Sequence, residues 1–420
     1  MQHSPLRLLV AGEFAVSGFF VLSGHVLVHR YMQKKDSSIL ISGLIRRFPR
    51  LFIPSTISLL FYYSILHYRP WYGFNECHEI GEGTVEVNQT NLGYALVNTV
   101  GQYLWMPALY TIQWTMQVEF ICSIVVYALA FLLTQRLVYR VRMFIYAVIA
   151  LLLPIIWLAT NGAIPKMVLY IQPFIFGILL SDLDANALLN PWRAMETGTR
   201  TQRVWFSLIT ICLLVFAIYF GSYPVFNTDV INGSGTIWAP LGWMFGWLWI
   251  SVGGSCLLLA VLTSSHIQRM LTLKPVHFLG KVSFGVYLIH YIVLCALDAT
   301  FIQWTARYID RDVALVLALI FLAVPITLIT AYIFHVFVDV PSIQLSYWMF
   351  LGLHTGCWKL NFINTKRTWI STATQRRMWI FLLCVLLLLI VVSAIPGSGS
   401  SCPLSFINGN TTTIPSLPKA

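Results

Sequence analysis

The stretch IRRFPRLFIP, residues 45–54, sets three arginines around a proline between two apolar runs, each of a length that crosses a bilayer. What those cations meet depends on where the bilayer lies, and composition answers the first part of that question. Of 420 residues, 58% are hydrophobic and only 10% charged, and the mean hydropathy is +0.76, more apolar segment than a soluble core uses. The chain therefore reads as an all-α, polytopic membrane helical bundle in the lipid bilayer. Its formal charge of +11 does not point to nucleic acid. The basic residues sit in short loops between apolar runs, where they orient helices and meet anionic headgroups.

Ten runs of spanning length fall at 12–29, 51–67, 114–134, 143–160, 165–181, 204–221, 241–263, 282–301, 312–337 and 378–395. If 30–50 is cytoplasmic, alternation also places 135–142, 182–203, 264–281 and 338–377 inside, and these five segments hold 20 of the 26 Lys and Arg. The sequons at Asn88, Asn232 and Asn410 then all fall outside, as glycosylation in the secretory pathway requires. Residues 1–395 form one transmembrane domain and 396–420 a flexible lumenal tail, in a secretory-pathway or plasma membrane. Five of the eight cysteines (Cys122, Cys212, Cys256, Cys295, Cys384) lie inside apolar runs and there is no C-x-x-C, so no metal site is expected from them; only Cys77 and Cys402 are placed to bridge on the lumenal side. The same topology sends the first span from outside to inside, so either the short stretch before it crosses unaided or an upstream helix precedes it, and the upstream helix is the favoured expectation.

Ionisable groups inside spans cost about 2.5–3.5 kcal/mol each on insertion scales, so each needs a partner, a wet cavity or a task. Glu119 lies about five residues, roughly 7 Å, in from the lumenal end of its span. His290 lies near mid-depth with Tyr287 one turn earlier, and Glu13 stands at the lumenal mouth of the first span. An imidazole and a carboxylate at neighbouring depths suit activation of a hydroxyl, the carboxylate orienting the ring or acting as base itself; the alternative is two polar groups satisfying one another between helices. Arg46 and Arg50 share a helix face, and Pro49 suits the first turn of the helix that follows, so a cationic helix start suited to phosphate is expected, with ordinary positive-inside anchoring as the alternative. His25 and His29 stand four apart with no third ligand beside them; they read as interfacial packing, with no metal. His335 and Asp339 repeat that spacing as a surface ion pair.

GEFAVSGFFVLSGHVL followed by LIRRFPRLFIP resembles the opening of the acyltransferase-3 family of multi-span membrane acyltransferases. TIQWTMQVEFICSIVVY resembles that family's W-[ST]-L..E.qFy segment, with Glu119 as its Glu. FLGKVSFGVYLIHYIVL resembles its G..S..lYl.H segment, with His290 as its His, and VFVDVPSIQLS its late [ED]-x-P segment, where Asp339 stands. The four segments, in order over about residues 10–345, are closest to fungal members.

The resemblance implies transfer of an acyl group, often acetyl, from cytoplasmic acyl-CoA as co-substrate to a hydroxyl-bearing sugar, lipid or small molecule. It implies that Arg46, Arg47 and Arg50 face the CoA phosphates, that Glu119 and His290 are catalytic, and that Tyr287, Ser23 or a backbone N–H stabilises the oxyanion. Glu13 is a further substrate-side candidate. Two positions depart from the pattern. The family's upstream histidine has no counterpart, since His3, 16 residues before Phe19, does not match, and His25 stands where the family has Phe or Tyr. The rival readings are a transporter whose buried His and Glu line a path, and an inactive relative.

Overall fold

The structure is a computed structural model that describes residues 8, 11–68, 92–104, 111–160, 167–224, 238, 241, 246–305, 317 and 319–355. The three sequons, Cys77, Cys402, the expected tenth span and the C-terminal tail lie outside the described residues.

The described chain is helical: α1 (Gly12–Lys34), α2 (Ser38–Tyr68), α3 (Leu92–Gly101), α4 (Trp114–Arg136), α5 (Tyr139–Ala159), α6 (Met167–Ala185), α7 (Asn190–Glu196), α8 (Arg200–Gly221), α9 (Gly246–Thr263), α10 (Ser265–Leu271) and α11 (Lys274–Thr305). A last long helix follows, made of α12 (Val324–Phe334) and α13 (Val340–Thr355) with π-helical turns at Leu319–Ala323 and His335–Asp339. Eight helices among the described residues are long and apolar enough to cross a membrane, and they coincide with eight of the ten expected runs. The expected second run, 51–67, lies within α2.

Helices in lipid must satisfy every backbone group internally, so prolines inside spans need help from neighbours. Pro154 in α5 cannot donate to the Ala150 carbonyl one turn back; the buried Gln172 of α6 does so instead, Nε2 to O 2.8 Å. The outer faces are the reverse of a soluble protein's. Phe144 on α5 and Phe321 on the last span are each 70% exposed, as side chains facing acyl tails should be.

α1 is the central element and lies against α4, α6 and α9. Its approach to α6 is a backbone contact. A Cβ on Gly24 would stand 2.2 Å from the Phe174 carbonyl oxygen, and one on Gly177 would stand 2.2 Å from that of Val21. Small residues give helices this proximity in lipid, where dispersion rather than water expulsion drives association. Around the crossing pack Phe20, Val28, Tyr31, Cys122, Val126, Phe174 and Ile178, all buried. Gly24→Ala or Gly177→Ala is expected to lower stability by about 1–3 kcal/mol through overpacking. Gly280→Ala on α11, where an added Cβ meets nothing within 4 Å, should be neutral or slightly stabilising. Thermal unfolding of the three variants in detergent checks the ordering.

Three of the basic segments, 135–142, 182–203 and 264–281, meet at one end of the bundle. Arg142 at the start of α5 forms a bidentate pair with Asp182 near the end of α6, both bonds 2.6 Å, with Asp182 fully buried and Arg142 4% exposed. Arg193 of α7 reaches Asp184 (2.7 Å) and the Leu262 carbonyl. The Glu196 carboxylate accepts from the Ser265 and His266 backbone N–H groups at the start of α10; burial pushes its pKa upward, but these donors outweigh that and hold it below the usual range.

One expectation, about α2, is corrected. The arginine segment is no loop closed by a helix start at Pro49: α2 begins at Ser38 and runs through both Pro49 and Pro54. Its packing overrides the roughly 3 kcal/mol that an interior proline costs, and the Ile45 and Arg50 carbonyls lose their in-helix donors. The stretch between α2 and α4 holds α3, ten residues long and too short to span, whose Ala95, Asn98 and Thr99 are buried.

Candidate active site

Because α2 is helical from Ser38, Arg47 lies nine residues, about 14 Å, along it rather than in a loop before it. There it meets α1 and α4. The Arg47 guanidinium pairs with the Glu119 carboxylate through Nη2 and Oε1, and the same Nη2 donates to Ser23 Oγ (3.0 Å). Ser23 in turn donates to Glu119 Oε1 at 2.5 Å. Glu119 is 1% exposed and the Arg47 side chain 12%. A lone buried carboxylate or guanidinium costs several kcal/mol, and each here offsets the other. The Ser123 hydroxyl donates to the Glu119 carbonyl, which fixes the helix beneath the acid.

The pair is incomplete. Glu119 Oε2 and Arg47 Nε are both buried, and both lack a partner among the described residues. A buried acceptor and a buried donor left open on one ion pair define what an occupant must offer: a proton to give and a lone pair to receive. A hydroxyl group carries both.

A hydroxyl-rich seam runs from this cluster along α4 to α2 and α11. Thr115, one turn before Glu119, bonds Tyr287 Oη at 2.6 Å. Gln113 Nε2 donates to the Ser55 carbonyl and to Ser58 Oγ, and Ser55 Oγ bonds Tyr103 Oη at 2.7 Å. Tyr287 also donates to the Ile112 carbonyl at 2.5 Å, and its ring centroid lies 5.9 Å from that of His290. His290 Nδ1 lies 2.7 Å from the Tyr287 carbonyl and 3.1 Å from that of Val286. Carbonyls only accept, so Nδ1 carries a proton and Nε2 is the ring nitrogen on the other side, away from these carbonyls.

The structure thus brings Ser23, Arg47 and Glu119 together and sets Tyr287 and His290 one contact away through Thr115. It does not join Glu119 to His290 by a hydrogen bond, so the acid does not orient the imidazole. Tyr287 and Ser23, both expected as oxyanion donors, have their protons committed, to the Ile112 carbonyl and to Glu119 respectively. Arg47, expected to meet CoA phosphates, is committed to Glu119. The reason is angular. Residues 46 and 47 diverge by about 100° around a helix, so Arg47 turns inward while Arg46 and Arg50 share another face. Arg46 lies over the Phe350 ring at 5.9 Å, and Arg50 is exposed, within the field of Asp339. Glu13 opens α1 in its first turn, ten residues or about 15 Å from Ser23, and does not reach the cluster.

His335 and Asp339 are no surface pair. Nδ1 to Oδ2 is 2.8 Å, Asp339 is 6% exposed, and both stand on a π-helical turn, a distortion common at functional sites. The expected absence of a third donor near His25 and His29 is also revised. Asp184 of α6, which sequence reasoning passed over, brings its Oδ2 to 3.7 Å from His29 Nε2.

A family profile described as Acyltransferase domain matches residues 2–336. The O-acetyltransferase PaAT-1 of Phomopsis amygdali is 25% identical over 398 residues, covering 83% of this chain and 76% of the relative. No solved structure matches.

Proposed function

Since the chain belongs to the acyltransferase family whose profile spans residues 2–336, and is a membrane acyltransferase, we propose that it moves an acyl group, acetyl first among candidates, from cytoplasmic acyl-CoA to a hydroxyl of a sugar, lipid or small molecule. The observation that carries this reading is the buried Arg47–Glu119 pair with one acceptor and one donor open.

The acceptor hydroxyl donates to Glu119 Oε2, which takes its proton as oxygen attacks the thioester carbonyl. A C–O bond forms, the C–S bond breaks, and the thiolate leaves to be protonated as CoA. During attack the negative charge on the carbonyl oxygen needs a donor already in place, and Arg47 Nε–H is the buried donor without another partner. Ser23 holds Oε1, so that the second oxygen is the one that reacts. His290, through Nε2, serves as a second base on the far side of Thr115. Arg46 and Arg50, on a different face of the same helix, bind the phosphates of the donor.

The test is transfer of radiolabelled acetyl from acetyl-CoA in microsomes carrying the chain, with a panel of sugar, sterol and small alcohol acceptors and CoA thiol release as a second readout. Labelled ester and free thiol are expected in equal amounts. Arg46→Ala and Arg50→Ala should each raise KM for acetyl-CoA about tenfold or more with kcat little changed, the signature of a lost charge-assisted contact made before the transition state. Microsomes that release no thiol with any acceptor, or arginine variants with unchanged KM, count against the reading.

A further inference from the structure

We propose that His25, His29 and Asp184 form a binding site for a divalent transition-metal ion of the zinc class, where α1 and α6 meet at the basic end of the bundle. One donor atom from each of the three lies within 4.8 Å of the others. His25 is only 6% exposed, and its Nδ1 is buried without a partner, as is Nδ1 of His29. Each ring thus keeps one buried nitrogen open, and His29 turns its other nitrogen, Nε2, toward the Asp184 carboxylate; open imidazole nitrogens are costly inside a helix bundle and ordinary where the ring binds an ion.

The surroundings fit a ligand set. Arg193 Nη2 donates to Asp184 Oδ1 at 2.7 Å, which leaves Oδ2 on the histidine side, 3.7 Å from His29 Nε2. An outer partner that holds one carboxylate oxygen and frees the other is what orients metal ligands. Gln33 Nε2 stands 3.0 Å from His29 Nε2, and this amide moves aside when that nitrogen takes the ion. The two rings are stacked, centroids 4.8 Å apart, and the less buried His29 turns to share the ion. Two nitrogens and one carboxylate oxygen from the protein, with water completing the shell, is a zinc donor set. Magnesium and calcium select oxygen alone, and monovalent copper selects sulfur.

The close crossing at Gly24 and Gly177 makes the site possible, since the backbone N of His25 itself lies 2.6 Å from where a Cβ on Gly177 would stand. His25 is also about 200° around α1 from Ser23, so the ion sits on the opposite side of this helix from the acid. Bound there, it staples α1 to α6 and fixes the rod on which Ser23 is mounted.

The full-length chain, purified, stripped with chelator and titrated with Co2+ alone, should take up one ion per chain with visible d–d absorption, and Zn2+ should displace it and raise the unfolding temperature. His25→Ala and Asp184→Asn should abolish the absorption, and Arg193→Ala should weaken binding about 10–100-fold. If His25→Ala does not fold, His29→Gln, at the partly exposed ring, replaces it. No absorption at saturating Co2+, or an absorption that survives the ligand variants, reduces the cluster to an ion pair and overturns the site. None of these readouts uses acyl transfer, so the outcome is independent of the proposed reaction.

Discussion

Replacing Glu119 by Gln is expected to cut acyl transfer by about 10²–10⁴-fold, the range that a general base contributes. Gln keeps the length and planarity of the side chain and one carbonyl oxygen for Ser23, but it removes the oxygen able to take a proton and leaves the Arg47 charge unanswered. Stability should fall too, by about 3–5 kcal/mol, because a buried guanidinium without its carboxylate is an uncompensated charge. The double variant Arg47→Met/Glu119→Leu separates the two losses. With both charges gone, the unfolding temperature in detergent should recover to near that of the parent, while labelled acetyl transfer stays absent. A Glu119→Gln protein that transfers at the parent rate would remove the acid from the mechanism, and a double variant as unstable as the single would show that the pair is not the source of the strain.

The largest effect on folding alone is expected at the other buried pair. Asp182→Ala or Arg142→Ala should cost about 3–5 kcal/mol each, since the survivor is a fully desolvated ion with both of its strong bonds removed. Asp182 also accepts from Asn186 Nδ2 at 2.8 Å, so the loss unties the end of α6 as well as the start of α5. Arg142→Met/Asp182→Leu should be close to neutral, for a packed apolar pair of that volume needs no desolvation. Chemical denaturation in mixed micelles measures all three. Single variants within about 1 kcal/mol of the parent would mean that solvent reaches the pair.

The spans were legible because lipid imposes a length: eight expected runs coincide with eight helices, and the short basic segments at 135–142, 182–203 and 264–281 gather at one end, as alternation requires. α3 was illegible because ten residues satisfy no spanning criterion and its burial depends on what packs over it. Glu119 and His290 stood out as lone ionisable groups in apolar surroundings, and the reading of His290 as a neighbour of Tyr287 holds. The partner of Glu119 did not stand out. Arg47 is 72 residues away, and local rules at Pro49 argue for a helix start there, whereas tertiary packing carries the helix through. Arg142–Asp182 and the Asp184 contact were hidden for the same reason. Pairing across a bundle follows from rotational setting and crossing distance, which depend on glycines such as Gly24 and Gly177 whose role appears only once two helices touch.

Two missing rungs in α2, at the Ile45 and Arg50 carbonyls, fall on either side of the turn that bears the cations. That turn keeps fewer backbone bonds than the rest of α2, so the Arg47–Glu119 pair and the Arg46–Phe350 contact add side-chain ties to α4 and to the last span where the ladder itself is thinnest.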